Sequence, residues 1–242
     1  MGAAVGFRAH RNGAGAVKRP RAFGFDFDHT LGIDNKLERV AFLRLLDTVC
    51  REGGRCIGTL AEEIARVDAL LQRQREGRCT IEHAVERFVV ERGLEGSSSY
   101  VDRYKAFALE SVDAFVIPEP GLGELLAGLR ASGIPYAILT NGWSPLQERK
   151  AERADFDGPV VVSSKIGVQK PQRGAFEALA RVLALPADSI AYVGDNPQID
   201  VAGALAAGMP AVWFDAEDTG YPPGVAAASA VIHSLPELLA VS

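Results

Sequence analysis

The chain has 242 residues, 48% apolar and 24% charged, which is material for a sizeable core and an ordinary water-facing surface. No apolar run approaches the ~20 residues of a membrane span, so no membrane partner is expected. The formal net charge of -5 conceals a basic opening: residues 1–21 hold Arg8, Arg11, Lys18, Arg19 and Arg21 and no acid, leaving an acidic remainder ill-suited to a nucleic-acid partner.

In chain order, residues 1–21 lack the apolar centre of a secretory signal and read as a disordered basic tail. "RAFGFDFD" is a short, nearly continuous apolar run that ends in polar residues, as fully buried parallel strands do. Helical spacing then takes over. Phe42, Leu45, Leu46 and Val49 form one stripe, and Leu60, Ile64, Val67 and Leu71 a second. Ile81, Val85, Phe88 and Val89 form a third, and Tyr104, Phe107, Ala108 and Ser111 a weaker fourth. Thr59 with Glu62 makes a capping-box pattern for the second helix, and Gly53-Gly54 and "EGSSSY" read as turns. Cys50, Cys56 and Cys79 are odd in number and lack CxxC spacing, so neither a disulfide framework nor a zinc site is expected, and a reducing cytoplasm fits best.

After this helical insertion, residues 36–116, the short apolar runs resume. "IPYAILTNG", "GPVVVSS", "DSIAYVGD" and "MPAVWFD" read as strands, separated by helical patterns at 121–131, 145–155, 172–184 and 198–207. "SAVIHSLPELLAV" adds a last strand and a short helix. This alternation predicts an α/β fold: a Rossmann-like parallel sheet flanked by helices, built from residues 22–35 and 117–242, with an inserted all-helical domain.

Open parallel sheets bind ligands at the carboxyl ends of their strands. The first run ends at Asp26 and Asp28, the second at Thr140-Asn141-Gly142, the fourth at Gly194-Asp195 with Asp200 behind it, and Lys170 follows the third. Taken singly these residues read as turn acids, helix caps or a solvated lysine. Together they gather carboxylates, a hydroxyl and a lysine on one edge, which suits a hard cation and a phosphate. His29 reads as a loop-positioning residue, Trp143 as packing against the insertion. Arg66, Arg73, Arg75, Arg78, Arg103 and Lys105 read as a solvated basic face.

"DFDHT" resembles the DxDxT signature of the haloacid dehalogenase superfamily, and "LTNG", the "KP" of "GVQKP" and "GDNPQID" resemble its other three, in order. The likeness spans residues 22 to about 215, with the insertion where that superfamily carries a cap. It implies a cytoplasmic Mg²⁺-dependent phosphatase acting on a small phosphorylated metabolite (a nucleotide, flavin or sugar phosphate) through an aspartyl-phosphate. Asp26 would be the nucleophile and Asp28 the acid and base. Thr140, Asn141 and Lys170 would bind phosphate, with Lys170 also orienting Asp26. Mg²⁺ would sit on the carboxylates of Asp26 and Asp195 and the backbone carbonyl of Asp28, with Thr30, Gly142 and Asp200 in support. The same fold also serves phosphomutases and haloacid dehalogenases, and a non-catalytic phosphate-binding regulator is the alternative of another class. Either a monomer or a homodimer is compatible.

Overall fold

The computed structural model describes residues 19–34 and 36–240. The expectation of a disordered tail therefore lies, for residues 1–18, outside the described residues. The first strand, β1 (Ala22–Phe25), is buried along its length. Its alternate residues serve two cores. Phe23 and Phe25 join the apolar cluster on one side of the sheet, with Ile138 and Val193, whereas Ala22 joins Ala137, Leu139, Leu179 and Tyr192 on the other. A strand with two buried faces has no room for polar alternation, which explains the continuous apolar runs of the sequence.

The other strands of this sheet are β4 (Tyr136–Thr140), β5 (Val160–Val162), β6 (Ile190–Gly194), β7 (Ala211–Phe214) and β8 (Ala230–Ile232). Their order is β5-β4-β1-β6-β7-β8 and all pairings are parallel. The chain builds outward from β1 on one side, through β4 and β5, and then crosses back to lay β6 against the other side of β1. A crevice opens where the winding reverses, beyond the carboxyl ends of β1, β4 and β6. Phe25 pairs with Ile138 and with Val193, so β1 ends two residues short of β4 and one short of β6.

Helices α5 (Leu122–Ala131), α6 (Leu146–Arg153), α7 (Ser163–Ile166), α8 (Arg173–Leu183) and α9 (Ala202–Ala206) connect the strands; α5, α6 and α8 lie close to the sequence expectation, and the single turn α7 has no counterpart in it. The pattern at 198–207 differs. Its first turn is a π-helical one, Pro197–Val201. The Asn196 side chain accepts from the backbone N–H of Gln198 and Ile199 (both 3.0 Å), while Asp200 Oδ2 accepts from Asn196 N–H (3.0 Å). These bonds tie Asp200 back onto the loop after β6.

Between β1 and β4 lie α1 (Leu37–Arg51), α2 (Leu60–Arg75), α3 (Ile81–Val90) and α4 (Ser98–Phe115). A two-residue antiparallel ribbon, β2 (Gly32–Ile33) with β3 (Ile117–Pro118), gathers the ends of this insertion. Strands that short carry no periodic signal, so the sequence does not reveal them. Phe42 centres the helices, its ring 4.6 Å from Tyr104 and 5.1 Å from Phe88. Glu63 and Arg92, 2% and 1% exposed, form a buried ion pair, with the guanidinium 3.5 Å over the Phe88 ring. The Thr59–Glu62 capping box is formed in both directions.

The cysteines depart from expectation. Cys50 and Cys56 are joined as a disulfide, with Cα atoms 6.4 Å apart, and Cys79 is free. The reversal after α1, through Gly53 with φ 93°, brings Cys56 back alongside the helix end, a pairing that counting cysteines cannot see. The argument for a reducing cytoplasm from unpaired cysteines loses its basis. Among the described residues no helix is long and apolar enough to cross a membrane.

Candidate active site

A cleft of about 330 Å³ opens at the winding reversal, and Asp26, Asp28, Thr140, Asn141, Gly142, Lys170, Asp195 and Asp200 all line it. Asp26 and Asp28 lie just past β1 rather than on it, separated by the buried Phe27. His29 has a left-handed backbone (φ 63°) and donates its N–H to Gly32 O at 2.8 Å, turning the chain toward β2. It is a bend residue, at the cleft rim. Asp26 is 9% exposed, Lys170 and Asp200 1% each.

Lys170 is the centre of the first cluster. Its Nζ lies 2.7 Å from Asp26 Oδ1, 2.7 Å from Asp200 Oδ1 and 2.9 Å from the Tyr192 hydroxyl. Tyr192 donates to Leu139 O at 2.8 Å, leaving its oxygen to accept from the ammonium. Gly194 permits this crowding, because a Cβ there would collide with the Asp200 side chain. Asp195 stands alongside, its backbone carbonyl accepting from Trp213 Nε1 at 2.8 Å. Ligand atoms of Asp26, Asp195 and Asp200 lie within 4.8 Å of one another.

One lysine cannot balance three carboxylates. Burial pushes Asp26 well above the usual carboxylate range; Lys170 opposes this, and the charges of Asp200, Asp195 and Asp28 add to it. Burial, helped by Asp200, takes Asp195 up to about 6. Lys170 moves upward, because Asp200 and Asp26 overcome the penalty of burying it. The cluster is short of positive charge, and close carboxylate oxygens are the donors that a hard divalent cation takes. The residues present therefore fit Mg²⁺.

The phosphate-binding candidates are placed less uniformly. Thr140 is buried, its hydroxyl making long contacts of 3.4 Å to Asn141 O and Gln147 Oε1. Asn141 uses its side chain as a strut: Nδ2 donates to Lys170 O and Oδ1 accepts from Lys170 N–H, each at 2.9 Å. Gly142 N–H donates to Ser163 Oγ at 3.0 Å. Thr30 is fully buried, with no partner for its hydroxyl among the described residues.

The second cluster was not anticipated. Lys150, 1% exposed, sits 2.6 Å from Asp28 Oδ1 and also pairs with the buried Asp34. Gln147 Nε2 approaches Asp28 Oδ2 at 3.4 Å. Burial raises Asp28, but Lys150 outweighs it and the carboxyl settles below its ordinary value. Neighbouring acids therefore do not by themselves hold a proton on Asp28, because a buried cation opposes them. Asp34 goes the other way, to about 6, because it is buried and shares Lys150 with an Asp28 that is already ionised. A signal existed. Leu146, Gln147, Lys150 and Ala151 are the buried positions of α6, so the lysine occupies the helix face that the apolar spacing assigns to the interior.

The insertion closes the other side of the cleft with Glu38, Gln72, Gln74, Arg75 and Glu76. Glu38 Oε1 accepts from Tyr104 OH (3.1 Å) and from Trp143 Nε1 (3.2 Å). Trp143 is 4% exposed and 6.4 Å from the Tyr104 ring, so it packs against the insertion as the sequence predicts. Of the basic face, Arg78, Arg103 and Lys105 pair with Glu76, Glu52 and Glu82, while Arg75 lines the cleft.

With this geometry in hand, comparisons with known proteins are informative. The pyrimidine 5'-nucleotidase YjjG of Escherichia coli is 33% identical over 128 residues, which are 50% of this chain and 56% of that protein. The phosphoserine phosphatase of Thermus thermophilus is 38% identical over 99 residues, 40% of each chain. The chain thus spans about half the length of these curated relatives or less. Among solved structures, the HAD hydrolase YfnB of Bacillus subtilis bound to magnesium superposes with a TM-score of 0.68 at 23% identity, covering 91% of this chain and 97% of that one. A 2-haloacid dehalogenase from Pseudomonas syringae gives 0.70 at 23% identity, covering 91% and 96%. At such identities the likeness speaks for the fold alone. The model of the haloacid dehalogenase-like hydrolases matches residues 20–208, and the chain belongs to that family.

Proposed function

We propose that the protein is a Mg²⁺-dependent phosphatase of small phosphorylated metabolites, working through an aspartyl-phosphate on Asp26. The observation that carries this reading is the run of 2.7 Å contacts from Asp26 through Lys170 to Asp200, beside Asp195, with a second acid two residues after the first. A dehalogenase needs the nucleophile but has no use for an acid at Asp28. Relatives that are nucleotidases and phosphatases lean the same way.

Asp26 and Asp195, with the backbone carbonyl of Asp28, would hold the ion. When bound, Mg²⁺ supplies the charge that lets a carboxylate approach a phosphate dianion. Lys170 holds Asp26 by one oxygen and opposes its protonation, and the charge of a bound cation would complete the ionisation of the carboxylate for attack. Asp26 then attacks phosphorus in line as the bond to the leaving oxygen breaks, and Thr140 with the Asn141 backbone faces the phosphoryl oxygens. Asp28 delivers a proton to the departing alkoxide. It afterwards takes one from the water that attacks the aspartyl-phosphate, releasing inorganic phosphate and regenerating Asp26. The phosphate dianion entering the cleft raises the proton affinity of Asp28 against Lys150, so that this acid takes up its proton when substrate is bound. The helical insertion acts as a cap that selects the leaving group and excludes water.

The test is hydrolysis of para-nitrophenyl phosphate by the full chain, with Mg²⁺ and with a chelator. Turnover that stops on chelation and returns on adding Mg²⁺ is expected. Turnover indifferent to chelation removes the ion from the scheme, and halide release from 2-haloacids without phosphate release makes the protein a dehalogenase.

A further inference from the structure

The catalytic cleft does not end at the phosphate site. A second cavity, of about 340 Å³, lies between α1 and α2, and Asp34, Glu38, Gln72 and Arg75 line both. Its far wall carries Arg39, whose Nε and Nη2 donate to the two oxygens of Asp68 at 2.7 and 2.9 Å. We propose that this cavity is the leaving-group subsite and that it takes an uncharged polyhydroxylated group, so that the substrate is a sugar or polyol monophosphate. The inference rests on the phosphatase reading and narrows it.

Three observations point there. First, among the described residues no Phe, Tyr or Trp lines either cavity. Tyr104 and Trp143, which meet the cavity wall at Glu38, are 0% and 4% exposed, with their polar tips spent on that carboxylate. Nucleobases and flavins are bound chiefly by stacking on such rings, and Ile199, Ala69 and Leu71 are the apolar side chains that the cavities offer in their place. Second, donors and acceptors are interleaved. Glu38 is an acceptor whose Oε1 is fixed by two donors. Gln72 gives its Nε2 to Glu76 at 2.9 Å and keeps its carbonyl as an acceptor, and Arg75 presents a guanidinium fork. A hydroxyl donates and accepts at once, so a wall of alternating carboxylate, amide and guanidinium suits a row of them. Third, the charge excludes a second anionic group. The shared wall carries Asp34, Glu38 and Arg75; Asp34 is paired with Lys150 and Arg39 with Asp68, so Arg75 is left beside the carboxylate of Glu38 rather than standing as a surplus cation.

The experiment measures kcat/KM with Mg²⁺ for hexose, pentose and polyol monophosphates, sugar bisphosphates, 5'-nucleoside monophosphates and flavin mononucleotide. Para-nitrophenyl phosphate is the reference that needs no subsite. The expected result is a preference of about 100-fold or more for sugar or polyol monophosphates over nucleotides and flavin, since unfilled hydrogen-bonding groups penalise the wrong ligand. Gln72→Leu and Arg75→Leu, at exposed positions where folding is not at stake, should each lower the ratio of the best sugar phosphate to the reference about tenfold. Nucleotides, flavin or bisphosphates hydrolysed as well as sugar monophosphates would overturn the assignment, as would a ratio that neither substitution moves. Absence of Mg²⁺-dependent turnover of the reference would instead bring down the phosphatase reading, and this inference with it.

Discussion

Two lysines lie within the same sheet edge, each 1% exposed and each bridging two aspartates, yet they do different things. Lys170 belongs to a cluster with a surplus of acids: Asp26, Asp200 and Asp195 crowd it, and Asp26 and Asp195 are both driven above their ordinary range. Lys150 pairs directly with Asp28 and Asp34, with the charge of Glu38 adding to theirs, and it brings Asp28 below its ordinary range. The first arrangement is incomplete without another cation. The second is nearly balanced and can hold its geometry unaided. Similar residues thus fit an ion in one place and form a strut in the other, and the close approach of a third aspartate, Asp195, separates them.

The largest expected effect tests the first cluster. Asp26→Asn keeps the shape of the side chain but removes the nucleophile, so turnover of para-nitrophenyl phosphate should fall by ~10⁴-fold or more while circular dichroism is unchanged. Substantial residual phosphatase activity would reassign the nucleophile. Next come the lysines. Lys150→Met and Lys170→Met each strand buried carboxylates and should lower stability by about 3–5 kcal/mol in urea denaturation, read from the midpoint. Kinetics should then separate them. Lys170→Met should slow all phosphate esters alike, because it acts on the nucleophile and phosphate. Lys150→Met acts through Asp28, so it should change alkyl phosphates, whose departing oxygen needs a proton, more than para-nitrophenyl phosphate, whose phenolate leaves without one. Equal ratios for the two variants would erase the distinction drawn between the clusters.

That distinction also marks the limit of what could be read from the chain. Asp26, Asp28 and Asp195 were legible because each lies just past a strand end, and Lys170 and Asp200 because each sits in the segment that follows one, and parallel strands deliver their ends to one edge whatever the helices do. The sheet was legible for the same reason, as runs with two buried faces. Lys150 was not, because its meaning depends on which way α6 rolls. A lysine in "LQERKAER" reads as solvated until its four-residue spacing from Leu146 is given weight. The β2–β3 ribbon was too short to leave a pattern, and the Cys50–Cys56 pairing depended on a turn that composition does not describe. The subsite between α1 and α2 required the helices to be placed before it existed at all.

The smallest effect concerns how the second cluster shares its one cation. Asp34 titrates at about 6 in the folded chain against 3.8 for an ordinary aspartate, with burial the main cause and the charge of Asp28 next. The folded state therefore holds a proton that the unfolded chain releases, and stability falls as pH rises between those two values and levels off above them. The difference amounts to about 3 kcal/mol at most, at 1.36 kcal/mol for each pH unit. Asp34→Asn cannot ionise, so its urea midpoint should depend less on pH between 4 and 6 than that of the parent chain, both measured with chelator present. Asp26 and Asp195 contribute slopes of the same sign to both proteins, so the contrast between the two isolates Asp34. An unaltered slope would mean that Lys150 satisfies both aspartates equally, and the second cluster would then be an ion triad rather than one ionised pair beside a neutral acid.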